Sequence, residues 1–427
     1  MTVNQGYMTS AVRPGGQGQH PHGVDVLLIT ALPEEYDAVK RVLGPSEWED
    51  HGIGGSEPFA SAKRGRLSVA LARPTTMGGR STAPIATALT DRLRPACLAM
   101  TGVCAGRPGI TAPGDVVVAS PAYQWDEGKY VGDTFRPDCH QFPLDSRWVR
   151  AVQDFRASGL PSHGDATDDE ARVWYLERLL KGQDPRTHPA RPRYFPRTSW
   201  QARLAQWESE DLIAWRDSAL ALTAAGRTFI ERALYIDVDG PDRLPFVVMP
   251  GPMASGGAVM ADPDTWSRLE VSKRRILALD MEAATIATVA HERQVPHWLV
   301  AKGVMDHADL DKDDRFKTFA ARASAEVLLA LVEGLLKPAA ASPQPARPAG
   351  AVPGPVKVQV MRRLTYDWQD LADYLGIPSH EVRRFRPGDE VYDVWAWLES
   401  RNRLAELPDA LEGIDRGDLA DLLRSHL

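Results

Sequence analysis

The sequence predicts an α/β domain built on a mostly parallel sheet, followed by a small, separate helical domain. Three patterns carry that prediction. Val24 to Thr30 is an almost continuous run of β-prone apolar residues, and Leu67–Arg73, Ala96–Thr101, Asp115–Ala119, Phe246–Met249 and Trp298–Gly303 repeat it. Runs that do not alternate with polar residues suit strands buried on both faces. Helical spacing lies between some of them, at Pro84–Leu93 and Glu282–His291. Strands alternating with helices build crossover units around a parallel sheet. Finally, residues 337–355 form a Pro/Ala tract, a semi-rigid and extended linker that sets off 356–427 as a compact, charged, helical domain.

Residues 1–23 are rich in Gly, Gln and His without periodicity and read as a flexible tail, with His20 and His22 solvated rather than holding a metal. Thr318 to Leu336 carries apolar residues at helical spacing and closes the α/β domain at 336. Between about 131 and 245 the pattern changes. Asp168–Leu180 reads as a helix, Ser199–Asp217 as another bearing three Trp, and the stretch from Leu220 to Ile230 as a third entered through Thr223. This is too apolar for a linker. It reads as a mostly helical insertion of winged-helix-like character that packs on the α/β domain or lids its site.

Composition bounds the function. The 427 residues are 43% hydrophobic and 25% charged, with 50 Lys and Arg against 57 Asp and Glu, a net charge of −7. These values exclude collagen-like, coiled-coil and wholly disordered chains. No apolar run reaches the ~18–20 residues of a membrane span, and the N-terminus lacks a signal-peptide profile. The negative balance argues against duplex binding as the main role. Three cysteines cannot all pair and show no metal-ligand spacing, so a cytoplasmic protein without a metal is expected.

Six motifs then fall in a telling order: Thr30-Ala-Leu-Pro-Glu-Glu-Tyr-Asp-Ala-Val39, Thr101-Gly-Val-Cys-Ala-Gly106, Gly114-Asp-Val-Val-Val-Ala119, Ser255-Gly-Gly257, Leu279-Asp-Met-Glu-Ala-Ala284 and Lys302-Gly-Val-Met-Asp-His-Ala-Asp309. Together they resemble the nucleoside phosphorylase and nucleosidase superfamily, in particular its methylthioadenosine/S-adenosylhomocysteine nucleosidase branch, over roughly 24–130 and 246–336. The resemblance implies a three-layer αβα domain with a central mixed sheet, here interrupted by the helical insertion. It implies no cofactor, and a homo-oligomer, since the family usually forms dimers.

Cleaving a purine N-glycosidic bond needs an acid for the leaving base, anchorage for the ribose and a positioned nucleophile. By resemblance Asp306 protonates the purine, Glu282 accepts the ribose hydroxyls with Met281 packed on the sugar, and Glu35 activates water. Glu34 takes that last role if the alignment shifts by one. Gly102 and Val103 form the loop beneath the sugar, and Val259 and Met260 line the base where the family usually has an aromatic. Cys104 reads as an inert thiol rather than a nucleophile. The positions that hold phosphate in the phosphorylase branch align with Met100 and Val103, neither of which binds an anion, so hydrolysis is expected over phosphorolysis. Lys302, Lys312, Arg315 and Lys317, with Arg191, Arg193 and Arg197 of the insertion, are candidate contacts for a 5′-phosphate chain.

In 356–427 the apolar spacing of Trp368, Leu371 and Leu375, and of Val394, Trp397 and Leu398, is that of short amphipathic helices around a small core. The segment resembles the death-like effector-associated domains of bacterial conflict systems, which implies a protein partner. The whole chain then reads as a purine nucleoside or nucleotide hydrolase, with adenine as the released base, acting as an effector in antiviral defence. A phosphate-dependent phosphorylase and a non-catalytic nucleoside sensor are the alternatives. Membrane and nucleic-acid partners are not expected. A helix-turn-helix reading of Leu371–Pro378 conflicts with Asp367, Asp370 and Asp373, which repel phosphate.

Overall fold

The computed structural model describes residues 23–44, 48–52, 55, 57–132, 134–138, 140–195, 200–262, 264–270, 275–309, 314–336, 354–364, 367–386, 388–401 and 403–425. The tail through residue 22, the linker through residue 353, Arg197 and Lys312 lie outside the described residues. Contacts divide the chain into two compact units, 1–337 and 338–427.

The first unit is built on β1 (Val26–Ile29), β2 (Glu49–His51), β3 (Phe59–Arg64), β4 (Leu67–Ala72), β5 (Cys97–Gly106) and β6 (Val116–Gln124). A hairpin of β7 (Gly128–Val131) and β8 (Thr134–Pro137) follows, then β9 (Gln141–Phe142). The insertion holds β10 (Ile213–Arg216) and β11 (Ala219–Leu222), and the sheet resumes with β12 (Val248–Ser255), β13 (Ala278–Asp280) and β14 (His297–Asp306). The sheet order is β13-β12-β6-β14-β5-β1-β4-β3-β2. β1 runs parallel to both β4 and β5, and β5 parallel to β14, whereas β14 is antiparallel to β6. β13 also pairs antiparallel with β5, which curls one half of the sheet into a closed ring. The sheet is mixed.

Burial on both faces accounts for the apolar runs. In β1, Val26 and Leu28 face one core while Leu27 and Ile29 face the other, as a side-chain period of two requires. Helices Pro33–Leu43 and Lys317–Leu335 cover the first face through Val39, Phe319, Val327 and Leu331. Gly79–Leu93 and Ala283–Glu292 cover the second through Ile85, Leu89, Ile286 and Val289. This is the expected αβα sandwich.

The insertion shares the first core. Trp174 stacks on Tyr194 with centroids 4.9 Å apart, and Tyr175, Phe195 and Trp207 close around them. One helix expected here is wrong in part. Trp200–Ser209 is helical, but Ile213 to Leu222 is a hairpin whose turn residues Asp217 and Ser218 have φ of 45° and 71°. Two consecutive left-handed residues make the tight turn that matches strand twist. The third helix is entered through Thr223 as expected and begins at Ala224, where the Thr223 hydroxyl accepts the Gly226 amide hydrogen at 2.9 Å, while Leu220–Leu222 belong to the hairpin before it.

The second unit is all helical: Gly354–Arg363, Trp368–Tyr374, Ser379–Val382, Glu390–Ser400, Leu407–Gly413 and Gly417–Arg424. Val360, Leu371, Val394, Leu398, Leu411 and Leu419 form its core. Among the described residues no helix is long and apolar enough to cross a membrane, and no group of three or more His, Cys, Asp or Glu could hold a metal ion.

One buried carboxylate ties the insertion to the sandwich. Glu177 of helix Asp168–Leu180 meets Arg178 at 2.7 Å, Lys181 at 3.0 Å and Arg315 at 3.0 Å. Burial alone pushes its carboxyl up, but Arg178, Arg315 and Lys181 more than offset this and hold it at about 2. We expect Glu177→Ala, which leaves those cations uncompensated, to cost about 3–5 kcal/mol. A carboxyl lower in the folded chain stabilises above its unfolded value of ~4.3, and that support fades as pH falls toward the folded value. Urea unfolding should therefore show a wide gap between variant and wild type at neutral pH that narrows in acid. Equal midpoints at neutral pH would remove Glu177 as the tie.

Candidate active site

The C-terminal ends of β1, β5 and β14 meet β13 at one end of the sheet, the side where open α/β sheets gather their ligands. Glu35 comes from the first turn of helix Pro33–Leu43, and its side chain folds back over the helix start. The amides of Ala31 and Leu32 donate to Oε2 at 2.8 and 3.0 Å, and the amide of Val103 donates to Oε1 at 2.8 Å. Gly102 makes room for this. A Cβ at that position would stand 2.2 Å from Oε1. Burial pushes the Glu35 carboxyl up, and Lys302 and the amides of Val103 and Leu32 only partly counter it. Glu34, one residue earlier, points outward and pairs with Lys317 at 3.2 Å.

A charged network lies beside it. Glu282 accepts the Gly78 amide on Oε1 at 2.7 Å and the Lys302 ammonium on Oε2 at 3.2 Å. Lys302 also stands 3.5 Å from Asp280. Asp280 accepts the Ser255 hydroxyl at 2.6 Å and the Ala283 amide at 2.9 Å. The Lys302 side chain is 1% exposed. Burial works against its charge, but Glu282, Asp280 and Glu35 outweigh that and raise its pKa. The ammonium therefore stays charged and balances the carboxylates around it.

Asp306 ends β14, four residues beyond Lys302, or about 13 Å of strand. Its Oδ1 accepts the amide of Ala308, which has φ of 58°. The turn is pinned twice more: His307 Nδ1 donates to the Gly106 carbonyl at 2.7 Å, and the Trp266 indole donates to the His307 carbonyl at 2.8 Å.

These side chains line one cavity of about 380 Å³. Glu35, Val103, Met281, Glu282, Lys302 and Asp306 surround it, Met260 adjoins it, and Val259 stands at its mouth, 54% exposed. Gly102 lies under the Glu35 carboxylate. Arg315 is not brought here; it faces the insertion, bonded to Glu177 and to Asp237 at 3.4 Å. Cys104 borders the cavity as a buried thiol whose pKa burial raises well above the ordinary range. Sequence reasoning missed Asp280 as a member of the network. The signal was its place two residues before Glu282 at a strand end, where i and i+2 share a side.

Comparison with known proteins agrees with this architecture. The Phosphorylase superfamily profile matches residues 25–175 and 214–337, and that of Bacterial Death-like domain 3 matches 354–426. The uncharacterized protein y4jS of Sinorhizobium fredii is 25% identical over 328 residues, which is 73% of this chain and 62% of that protein. The 5′-methylthioadenosine/S-adenosylhomocysteine nucleosidase of Glaesserella parasuis is 30% identical over 105 residues, 24% of this chain and 45% of that enzyme. The chain thus spans less than two thirds of either relative. Among solved structures, the nucleosidase of that name from Neisseria meningitidis in complex with methylthio-immucillin-A has 16% identity and a TM-score of 0.45, covering 73% of this chain and 99% of its own. Futalosine hydrolase of Helicobacter pylori has 14% identity and a TM-score of 0.44, covering 73% and 98%. A profile that spans every strand around the cavity, on both sides of an unmatched stretch at 176–213, shows that the chain belongs to the phosphorylase superfamily and carries a bacterial death-like domain 3 at 354–426.

Proposed function

We propose that the α/β unit hydrolyses the N-glycosidic bond of a purine nucleoside or nucleotide and releases the free base, with adenine as the leading candidate. The observation that carries this reading is the Glu35 carboxylate, held by three backbone amides over Gly102 beside the Glu282–Lys302 pair. A nucleophile at this place meets the carboxylates Glu35, Glu282 and Asp280, with Lys302, the fully buried cation among the described lining residues, already shared between two of them. Phosphate is repelled there and a neutral water is accepted. Met100, at the position where phosphorylases bind the anion, is buried in the core.

In this mechanism Glu282 accepts the ribose hydroxyls and Met281 packs on the sugar. Glu35 takes a proton from water as its oxygen bonds to the anomeric carbon. The carbon–nitrogen bond breaks, and Asp306 delivers a proton to the purine so that it leaves neutral. Lys302 holds the carboxylate array together as positive charge grows on the sugar. The death-like domain supports an effector recruited by like-with-like association in antiviral defence. Light scattering should show assemblies larger than the dimer expected of the α/β unit, which fall back to that size when 354–427 is deleted; a deletion that assembles as the whole chain does counts against that role.

Base release, followed by chromatography on adenosine, methylthioadenosine, S-adenosylhomocysteine and AMP, tests the reaction directly. Release should be independent of phosphate, and Glu35→Gln should lower kcat about 10²–10⁴-fold. Release that requires phosphate would mean a phosphorylase, and none from any substrate a non-catalytic protein. Because the working base is ionised and its carboxyl is raised, kcat/KM should climb with pH through a limb above the ordinary ~4.3, and Glu35→Gln should flatten it. Gly102→Ala, whose methyl displaces the buried Glu35 carboxylate, should lose kcat by a similar factor and also lower the unfolding midpoint, because the three amides lose their acceptor. Full activity in that variant would contradict the role given to Glu35.

A further inference from the structure

Behind the Asp306 turn lies a second cavity, between the insertion and residues Met305 to His307. Its free volume is about 60 Å³. With about 10–15 Å³ needed per water, this space suits one small tetrahedral ion and not a second nucleoside. Neither Glu35 nor Glu282 lines it, so it is not the place of the nucleophile.

Its insertion side has more hydrogen-bond donors than acceptors. The Ala190 amide donates to His188 Nδ1 at 3.1 Å. Burial and Arg178 push His188 down to about 3, so the ring is neutral and carries its single hydrogen on Nε2. That nitrogen lies 3.4 Å from Nη1 of Arg178, so two donors face each other. The Nε–H groups of Arg178 and Arg193 are buried and meet no acceptor among the described residues. Those side chains are 9% and 5% exposed. The neighbouring acceptors are engaged. Glu177 serves Arg178, Lys181 and Arg315, and Asp115 serves the amides of Ala112 and Val247 as well as Arg193. Each buried donor left unmet costs about 1–3 kcal/mol. A group with several acceptor oxygens and no hydrogens to donate answers all of them together. Asp306 and Asp309 also line the cavity and repel an anion, which restricts it to the insertion side.

We propose that this cavity is an oxyanion site that takes a phosphate group, held by Arg178, Lys181, His188 and Arg193 of the insertion. The phosphate comes either from the substrate itself or from a separate phosphate-bearing effector that acts on the Asp306 turn through their shared wall. Only the first source rests on the hydrolase reading.

Isothermal titration of the full chain with inorganic phosphate tests the site, with sulfate and chloride as comparators. The wild type should bind phosphate, and Arg178→Gln and Lys181→Gln should each bind at least about tenfold more weakly. Lys181, whose side chain is 26% exposed, keeps the test usable if Arg178→Gln fails to fold. No binding at millimolar phosphate, or binding undiminished in folded variants, overturns the site. Turnover then separates the sources. For a substrate phosphate, inorganic phosphate competes with AMP, leaves adenosine cleavage unchanged, and the variants lose activity on AMP alone. For an effector, phosphate alters adenosine cleavage as well, without forming ribose 1-phosphate. Binding is read without turnover, so the absence of base release from every nucleoside overturns the hydrolase and leaves the oxyanion site standing.

Discussion

The site depends on one buried ammonium. Asp280, Glu282 and Glu35 all stand within the reach of Lys302's charge, and each is at least nine-tenths buried. Carboxylates gathered in this way, without a cation, either protonate or open the cavity to water. Lys302 partly offsets the burial that pushes the Glu35 and Asp280 carboxyls up, and it holds Asp280 and Glu282 in place. The cation sits on β14 because that strand is the pivot of the sheet, parallel to β5 on one side and antiparallel to β6 on the other. The closed ring β5-β14-β6-β12-β13 brings Asp280, Glu282, Lys302 and Asp306 to one rim.

Around that balance, backbone sets the position of Glu35. Three amides fix its oxygens, and the missing Cβ of Gly102 gives them space. Burial raises the carboxyl while the amides and Lys302 stabilise its charge, and burial is the larger effect. The Asp306 turn is fixed by different means, through a histidine, a tryptophan and a left-handed alanine. Asp306 and Glu35 are thus anchored independently, and only the support of Asp306 adjoins the insertion.

The insertion is part of the same core. Its aromatic cluster continues the packing over one sheet face, Glu326 of helix Lys317–Leu335 binds the amide and hydroxyl of Ser162 at 2.9 Å, and Glu177 clasps Arg315. Arg315 was a candidate substrate contact by sequence because it follows Asp306 closely. In space it is claimed by Glu177 and Asp237, and it serves the junction between the insertion and the sandwich.

By itself the sequence determined what repeats locally or is carried by motif. Continuous β-prone runs gave the buried strands, helical spacing gave the covering helices, the motif order gave the family, and the Pro/Ala tract with the apolar spacing beyond it gave the small helical domain. Glu35, Glu282 and Asp306 were singled out through the motifs that carry the resemblance, and the fold brings all three to one cavity. Tertiary structure alone decided which of Glu34 and Glu35 turns inward, since adjacent residues at a helix start differ only in what they pack against. It alone paired Lys302 with Asp280 and Glu282, residues about twenty positions apart. It placed Trp215 on a hairpin, where two turn residues at positive φ override a helical apolar pattern. The donor-rich cavity at the insertion was also its work, because hydrogen-bond satisfaction belongs to the folded arrangement and leaves no period in a sequence.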